Sequence, residues 1–298
     1  MYANVILDRV CDALDHVFTY AVPEGMDVRV GQQVRVPLGS SRADGFVVET
    51  TEECALEAAR IKPILGLRFA EPVILPEMME LAQWMRGRYN CNLVEALRLM
   101  LPAEMRRGGV HARVTRVARL VRPDAQVRGP RQREIVERLR AGDVETPLLP
   151  AQALRALVEK GVVEIYEREQ RRAPGALRGE PLPDPELTRA QRRAAQEVCA
   201  ALEGGGRFLL HGVTGSGKTE VYIRLVRKAL EMGKSCVVLV PEIALTPQMA
   251  RWFHQRFGAD AAILHSGLSA GEKYDEWQRI RRGEARVVIG ARSAVFAP

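Results

Sequence analysis

The sequence predicts a multi-domain chain of mixed α/β and α+β class: a small β-barrel-like domain, a winged-helix domain, and a partial P-loop parallel α/β lobe. Three observations predict it. From residue 187 onward, apolar strand-like runs alternate with amphipathic helix-like runs, the order that builds a parallel sheet with helices on both faces. Gly212-Val213-Thr214-Gly215-Ser216-Gly217-Lys218-Thr219 fits G-x-x-x-x-G-K-[ST], the loop that cradles nucleotide phosphates. Short alternating runs separated by glycine turns fill the first fifty residues, a pattern of small all-β domains.

Residues 1–105 form the first expected domain. Strands are read at 17–22, 33–38 and 45–50, with the turn Pro23-Glu24-Gly25 after the first and Gly39-Ser40-Ser41 after the second. Val34, Val36 and Leu38 share one face of the second strand. Residues 78–89 read as a helix, with Met78, Leu81, Ala82 and Met85 at helical spacing. Pro102 and Gly108-Gly109 mark a boundary.

Residues 106–172 hold helices at 131–140 and 151–160, then an alternating strand at 162–167. Gly142 stops the first helix, and Gly161 suits a left-handed end to the second. Helix, helix, strand in a basic segment is compatible with a winged helix, as with other small α+β domains. Residues 173–186, with Pro174, Gly175, Gly179, Pro181, Pro183 and Pro185, read as a linker. Residues 187–298 form the lobe. Its strands are expected at 207–211, 235–240, 261–265 and 286–290, and its helices near 188–202, 219–232, 246–257 and 269–282.

A chain of 298 residues, 47% of them hydrophobic, supports two or three domains with sizeable cores. Five cysteines at 11, 54, 91, 199 and 236 make no C-x-x-C pair, so neither a zinc site nor a disulfide framework is indicated. Scattered reduced thiols point to the cytoplasm. Asp8, Arg9, Asp12 and Asp15 interrupt the first 18 residues, which excludes a signal-peptide core there. No apolar run reaches the ~20 residues that cross a bilayer. Lys+Arg minus Asp+Glu is 10 − 15 = −5 for residues 1–105, 17 − 10 = +7 for 106–180 and 17 − 12 = +5 for 181–298. The basic middle segment suits a polyanion partner or a solvated surface equally on composition.

In the phosphate loop, glycines let backbone N–H groups approach phosphate oxygens, and the following helix adds its positive dipole end. Lys218 is placed for the β- and γ-phosphates and Thr219 for Mg²⁺. The asparagines are Asn4, Asn90 and Asn92, none in an Asn-Lys-x-Asp motif, which excludes a GTPase within this sequence; small-molecule kinases remain on the loop alone. Three further elements weigh against them. Gln191, just inside a helix opened by Thr188, offers an amide that matches the donor and acceptor edge of adenine. Pro241-Glu242-Ile243-Ala244-Leu245-Thr246-Pro247-Gln248 follows a strand and opens a helix, with Thr246 as cap and Gln248 in the first turn, suited to a nucleic-acid phosphate. Arg292 and Ser293 follow the last strand as phosphate-type donors.

Gly212–Glu220, Val240-Pro-Glu-Ile-Ala-Leu-Thr-Pro-Gln248, His265-Ser-Gly-Leu-Ser269 and Gly290-Ala-Arg-Ser-Ala-Val-Phe-Ala-Pro298 resemble motifs I, Ia and Ib of the PriA family. These are the primosomal protein N′ helicases of superfamily 2, which restart bacterial DNA replication. The resemblance runs the full length. It implies an N-terminal domain that captures a 3′ DNA end, a winged-helix domain, and a RecA-like helicase lobe 1 that binds ATP and Mg²⁺ through Gly212 to Glu220 with Gln191 on adenine. Position by position, Phe18 matches the aromatic residue that stacks on the terminal base, Gly39 a backbone contact and Lys62 a basic contact. Thr19 departs from the aspartate that recognises the terminal sugar hydroxyl. Implied partners are forks with 3′ ends, single-stranded DNA-binding protein and primosome helicase-loading proteins, with no membrane. The sequence holds no Asp-Glu-x-His acidic motif, so the expectation is a fragment: lobe 1 cut before its Walker B motif, no second lobe, zinc only in the part of the family protein missing here, and no activity of its own. The alternative is a non-enzymatic module that binds forks and 3′ ends.

Overall fold

Ala3, Val5 and Leu7 alternate along the first strand, β1 (Tyr2–Leu7), and all three are buried. The computed structural model describes residues 1–54, 61–106, 112–170, 172, 182–184, 186–241 and 246–298. The chain divides into two units, Met1–Val110 with Pro174–Pro298, and His111–Ala173. The class is mixed α/β with several sheets.

In the first unit, β1 is joined by β2 (Phe18–Ala21), β3 (Gln33–Leu38), β4 (Ser41–Thr51) and β5 (Gly66–Leu67) in one antiparallel sheet of order β2-β1-β4-β3-β5. Gly39, at φ 59°, makes the tight turn between β3 and β4. The sheet's two ends also meet. Ala21 N–H donates to Lys62 O at 3.0 Å and Ile64 N–H to Ala21 O at 2.9 Å, so the run into β5 pairs with β2. Ala3, Val5, Tyr20, Val34, Val36 and Val47 fill the interior. Reading from 17 onward had missed β1, the strand that β2 and β4 flank. Its polar Asn4 and its partners 13 to 49 residues away leave little local signal.

Helices α1 (Pro76–Arg88), α2 (Leu93–Met100) and α3 (Ala103–Arg106) follow. Sequence reading had also missed α2. It is strongly capped: Asn92 N–H donates to the Glu95 carboxylate at 2.9 Å, and Leu93 N–H donates to Asp15 Oδ1 at 3.1 Å. Leu93, Val94, Leu97 and Met100 are buried beneath it.

The second unit packs α4 (Pro130–Arg140) and α5 (Ala151–Glu159) on a sheet of order β7-β6-β8, formed by β6 (Val114–Leu120), β7 (Val144–Glu145) and β8 (Val163–Glu169). Ile135, Leu139, Leu154 and Leu157 bury against Ala118 and Val163. Gly161 ends α5 at φ 64°. The central strand β6 was not anticipated; its charged Arg116 and Arg119 disguise it. Arg119 lies over the Tyr166 ring, 4.5 Å from its centroid, while both residues bond Asp143, Tyr166 Oη at 2.7 Å and Arg119 Nη2 at 3.1 Å. The Tyr166 hydroxyl, then the Arg119 guanidinium, hold the Asp143 carboxyl below its usual range. A depressed folded-state pKa stabilises the fold above the unfolded value, about pH 4, and that contribution is lost as pH falls through the folded value. In thermal melts between about pH 6 and pH 3, Asp143→Asn should melt below wild type at the higher pH and converge with it at the lower. A constant gap would rule the triad out as an acid-sensitive element.

The lobe contains α6 (Arg189–Ala200), α7 (Lys218–Glu231), β9 (Cys236–Leu239), α8 (Pro247–Phe257), β10 (Ala261–Leu264), α9 (Ala270–Arg281) and β11 (Val287–Gly290). The sheet is parallel, in order β10-β11-β9. Ile223 and Val226 of α7 and Phe253 and Phe257 of α8 cover one face against Ile263 and Ile289. Ile280 of α9 and Ala294 cover the other against Ala262 and Val288. Trp277 of α9, 2% exposed, donates its indole N–H to Met100 O at 3.3 Å, and Arg281 reaches Glu71 at 3.5 Å.

Two expectations need correction. Residues 207–211 form no strand, and Leu209 is 91% exposed. A parallel strand is made by its neighbours' N–H and C=O groups, and this run has none beside it among the described residues. The linker expected at 173–186 is not free throughout. Leu182 N–H donates to Gln255 O at 3.0 Å, and Asp184 pairs with Arg227 and, at 3.9 Å, with Arg256. The rest of that span, except Pro183 and Glu186, lies outside the described residues.

Candidate nucleotide and DNA-end sites

The phosphate loop opens α7. Gly215 and Gly217 take φ of 81° and 76°, conformations open to glycine at little cost. Gly217 is also the helix cap, and a Cβ there would lie 2.3 Å from Gln191 Nε2. Lys218 begins the helix and folds its Nζ onto Gly212 O at 2.6 Å and Val213 O at 2.9 Å. The ammonium thus sits across the loop mouth, bound to carbonyls that phosphate oxygens could replace. Thr219 follows in the first turn of the helix, where the backbone N–H groups have no partner within the helix. Glu220 comes next; its Oε2 is buried without a hydrogen-bond partner among the described residues. Glu220 lines a cavity of about 480 Å³ along the α6–α7 seam with Arg192, Gln196, Cys199, Arg224 and Lys228.

Gln191 stands 27 residues before Lys218, and the fold brings them together. Thr188 and Gln191 form a reciprocal cap: Thr188 N–H donates to Gln191 Oε1 at 2.8 Å, and Gln191 N–H to Thr188 Oγ1 at 3.3 Å. Gln191 Nε2 donates to Ser216 O at 3.1 Å and Gly217 O at 3.4 Å. The amide therefore ties the end of the loop at Ser216 and Gly217 to the start of α6, a role its spacing did not reveal. Contact with adenine requires it to exchange these bonds.

At the carboxyl edge of the lobe's sheet, Thr246 Oγ1 accepts the Met249 N–H at 3.2 Å and caps α8, with Gln248 exposed in the first turn. Glu242 to Leu245 of the same motif lie outside the described residues. Arg292 and Ser293 are exposed just past β11. They line a cleft of about 640 Å³ with Lys273 and Trp277 of α9, Phe296, and Leu99 of α2. Sequence reading had missed Lys273 and Leu99, since nothing local ties them to the sheet edge. The sequence's one Asp-Glu pair, Asp275-Glu276, lies on α9. Glu276 is 4% exposed, bonds Arg279 at 2.7 Å and accepts the Ile263 N–H at 3.1 Å, so it is committed to the core and is no metal ligand at the loop.

In the N-terminal sheet, Lys62 Nζ donates to Gly39 O at 3.0 Å, which joins two of the expected DNA-end residues. Phe18 is half-buried, packs on the interior and lies 4.2 Å from the His16 ring, centroid to centroid. Thr19 points to the opposite face of β2, as neighbours in a strand do, and its hydroxyl donates to Asn4 Oδ1 at 2.8 Å. Among the described residues, β2 pairs at Phe18 and Thr19 with β1 alone, whereas at Ala21 it also bonds the segment from Lys62.

Among the described residues, no cluster of three potential metal ligands occurs, and no helix is long and apolar enough to cross a membrane. Residues 4–102 match the family described as 3′DNA-binding domain (3′BD), and residues 188–297 match the DEAD/DEAH box helicase family. Over its whole length the chain is 31% identical to the replication restart protein PriA of Bacillus subtilis (strain 168), of which it covers 47%. It is 32% identical to PriA of Treponema pallidum (strain Nichols) over 98% of the chain and 36% of that protein. The corresponding values for PriA of Synechocystis (strain ATCC 27184 / PCC 6803 / Kazusa) are 31%, 95% and 44%. The chain thus spans less than half the length of these relatives.

Proposed function

We propose that this chain, which matches the N-terminal portion of the PriA family along its whole length, supplies the DNA-end-binding and nucleotide-binding parts of an ATP-dependent 3′→5′ DNA helicase of the primosome. Such an enzyme recognises stalled or abandoned forks and restarts DNA replication in the cytoplasm. The observation that carries the reading is a phosphate loop of full pattern, shaped by Gly215, Gly217 and Lys218, in the same chain as a sheet that matches a 3′ DNA-binding domain.

The loop residues fit a nucleoside triphosphate. The lysine already binds oxygen acceptors at the loop mouth, and the helix start offers N–H donors. Gly212 to Glu220 would hold the ATP phosphates, Thr219 the Mg²⁺, and Gln191 the adenine. Bound Mg²⁺ neutralises phosphate charge as it develops. Lobe 1 is RecA-like in this reading, 1–105 a closed barrel-like end-binding domain, 106–172 a winged helix and 173–186 a linker. Single-stranded DNA runs along the carboxyl edge of the sheet past Thr246, Gln248, Arg292 and Ser293. Forks with 3′ ends, single-stranded DNA-binding protein and helicase loaders are the partners, and zinc belongs to a region of the family outside this sequence.

A second reading, a binding module without turnover, is favoured by the run before the loop, which is exposed and unpaired among the described residues. Binding to 3′ ends is common to both and is directly testable. Phe18 stacked on a terminal base is worth roughly 1–3 kcal/mol. Phe18→Ala should weaken binding to forks with a free 3′ end and leave blocked ends unchanged. Equal binding of free and blocked ends by wild type, or no loss in the variant, would assign Phe18 to the core alone.

A further inference from the structure

Resting on the end-binding reading, we infer that Asn4 and Glu49 are positioning residues that make Thr19 an acceptor for a terminal 3′-hydroxyl. Thr19, Asn4 and Glu49 form a row across β2, β1 and β4, in directly paired positions. Asn4 Nδ2 donates to Glu49 Oε2 at 2.7 Å, and Thr19 Oγ1 donates to Asn4 Oδ1 at 2.8 Å.

The polarity of the row follows from chemistry. An ionised carboxylate only accepts, so the Asn4 group that faces Glu49 is its NH₂. The Asn4 oxygen therefore faces Thr19, and the Thr19 hydroxyl must give it its one proton. What Thr19 retains is lone pairs. It can accept a hydrogen bond from an incoming hydroxyl and has no proton for an incoming acceptor. A free 3′-hydroxyl is what an internal nucleotide lacks, and it is a donor. A 3′-phosphate offers acceptors and negative charge, which Thr19 cannot satisfy and Glu49 repels. The carboxylate so lends its polarity through an amide to a neutral threonine, and bonds in such a chain reinforce one another.

The arrangement is built by a register shift. Val5 pairs with Val47, so regular pairing would place Val48 opposite Asn4 and Glu49 opposite the fully buried Ala3. The bulge between Asn4 and Val5 puts Glu49 opposite Asn4 instead, on the outer face. Bulges re-aim side chains in this way. Here the bulge keeps a carboxylate out of the interior and sets it at the end of the row.

The test measures binding of the 298-residue chain to otherwise identical DNA ends carrying 3′-hydroxyl, 3′-hydrogen or 3′-phosphate. Wild type should prefer hydroxyl over hydrogen by roughly 2–12-fold, one hydrogen bond's worth, and reject phosphate. Thr19→Ser should retain the preference and Thr19→Val should lose it. Glu49→Gln, whose amide can face Asn4 by either end, should reduce the preference. Asn4→Ala, which frees the Thr19 proton, should reduce it and admit 3′-phosphate. A variant that is merely less stable would lose affinity for all three ends alike. If wild type discriminates but Glu49→Gln and Asn4→Ala keep its ratios, the inference is overturned and the end-binding reading stands. If wild type shows no dependence on the end and Phe18→Ala is neutral, both fall.

Discussion

A polypeptide of these 298 residues should bind ATP and Mg²⁺ yet show no DNA-stimulated hydrolysis above background. In-line phosphoryl transfer depends on orienting the attacking water and on stabilising charge as it develops. The loop supplies phosphate contacts and, in Thr219, one hydroxyl for the metal. The one Asp-Glu pair of the sequence is not placed to orient the water. The Asp-Glu pair lies on α9, and Glu276 is tied to Arg279 and the Ile263 N–H inside the lobe. Among the described residues, the run before the loop is exposed and has no strand beside it, and sheet support is what holds catalytic geometry within a fraction of an ångström. An arginine finger alone contributes ~10³–10⁵ in rate. A longer polypeptide with an acidic motif and a second lobe should therefore gain turnover on that scale, and one with the acidic motif only should gain Mg²⁺ affinity and little rate. Phosphate release with and without forked DNA makes the comparison. DNA-stimulated hydrolysis by the 298 residues that Lys218→Ala abolishes would show that a residue within them orients the water.

Lys218→Ala should weaken ATP binding by about 1.5–3 kcal/mol, roughly 10–150-fold, the worth of a hydrogen bond to a charged group. In the structure the ammonium bonds Gly212 O and Val213 O. Nucleotide must displace those contacts, which offsets part of its gain and favours the lower half of the range. The half-buried side chain anchors nothing outside the loop, so melting temperature should hardly change. Lys218→Arg keeps the charge but brings a wider fork, and should fall between wild type and alanine. Titration with ATP and Mg²⁺ decides the matter, and equal affinity of wild type and Lys218→Ala would remove the phosphate-site assignment.

Much of the lobe was legible because its signals are local. The phosphate loop is eight consecutive residues, whose glycines and lysine state their own geometry. Helices α6 to α9 each carry apolar residues at helical spacing, and Thr188, Thr246 and Ser269 cap α6, α8 and α9 as their residue types predict. In the second unit, α4, α5 and the strand after Gly161 were legible for the same reason. Among site residues, Lys218 and Thr219 needed only the motif, whereas Phe18, Thr19, Gly39 and Lys62 needed the family resemblance.

By itself, the sequence determined the helices of the lobe and of the second unit, the left-handed turn at Gly161, and which residues form the phosphate loop, because each depends on neighbours a few residues away. Only the tertiary structure decided that residues 2–7 lie between β2 and β4, that 207–211 is not a strand, and that Gln191 braces the loop. It alone joined Lys62 to Gly39, set Leu99 beside Arg292, and, through one bulge, turned Glu49 outward to Asn4. The physical reason is common to all of these. A strand exists through hydrogen bonds to partners distant in sequence, and a side chain's role at a site depends on which distant group the register brings opposite it.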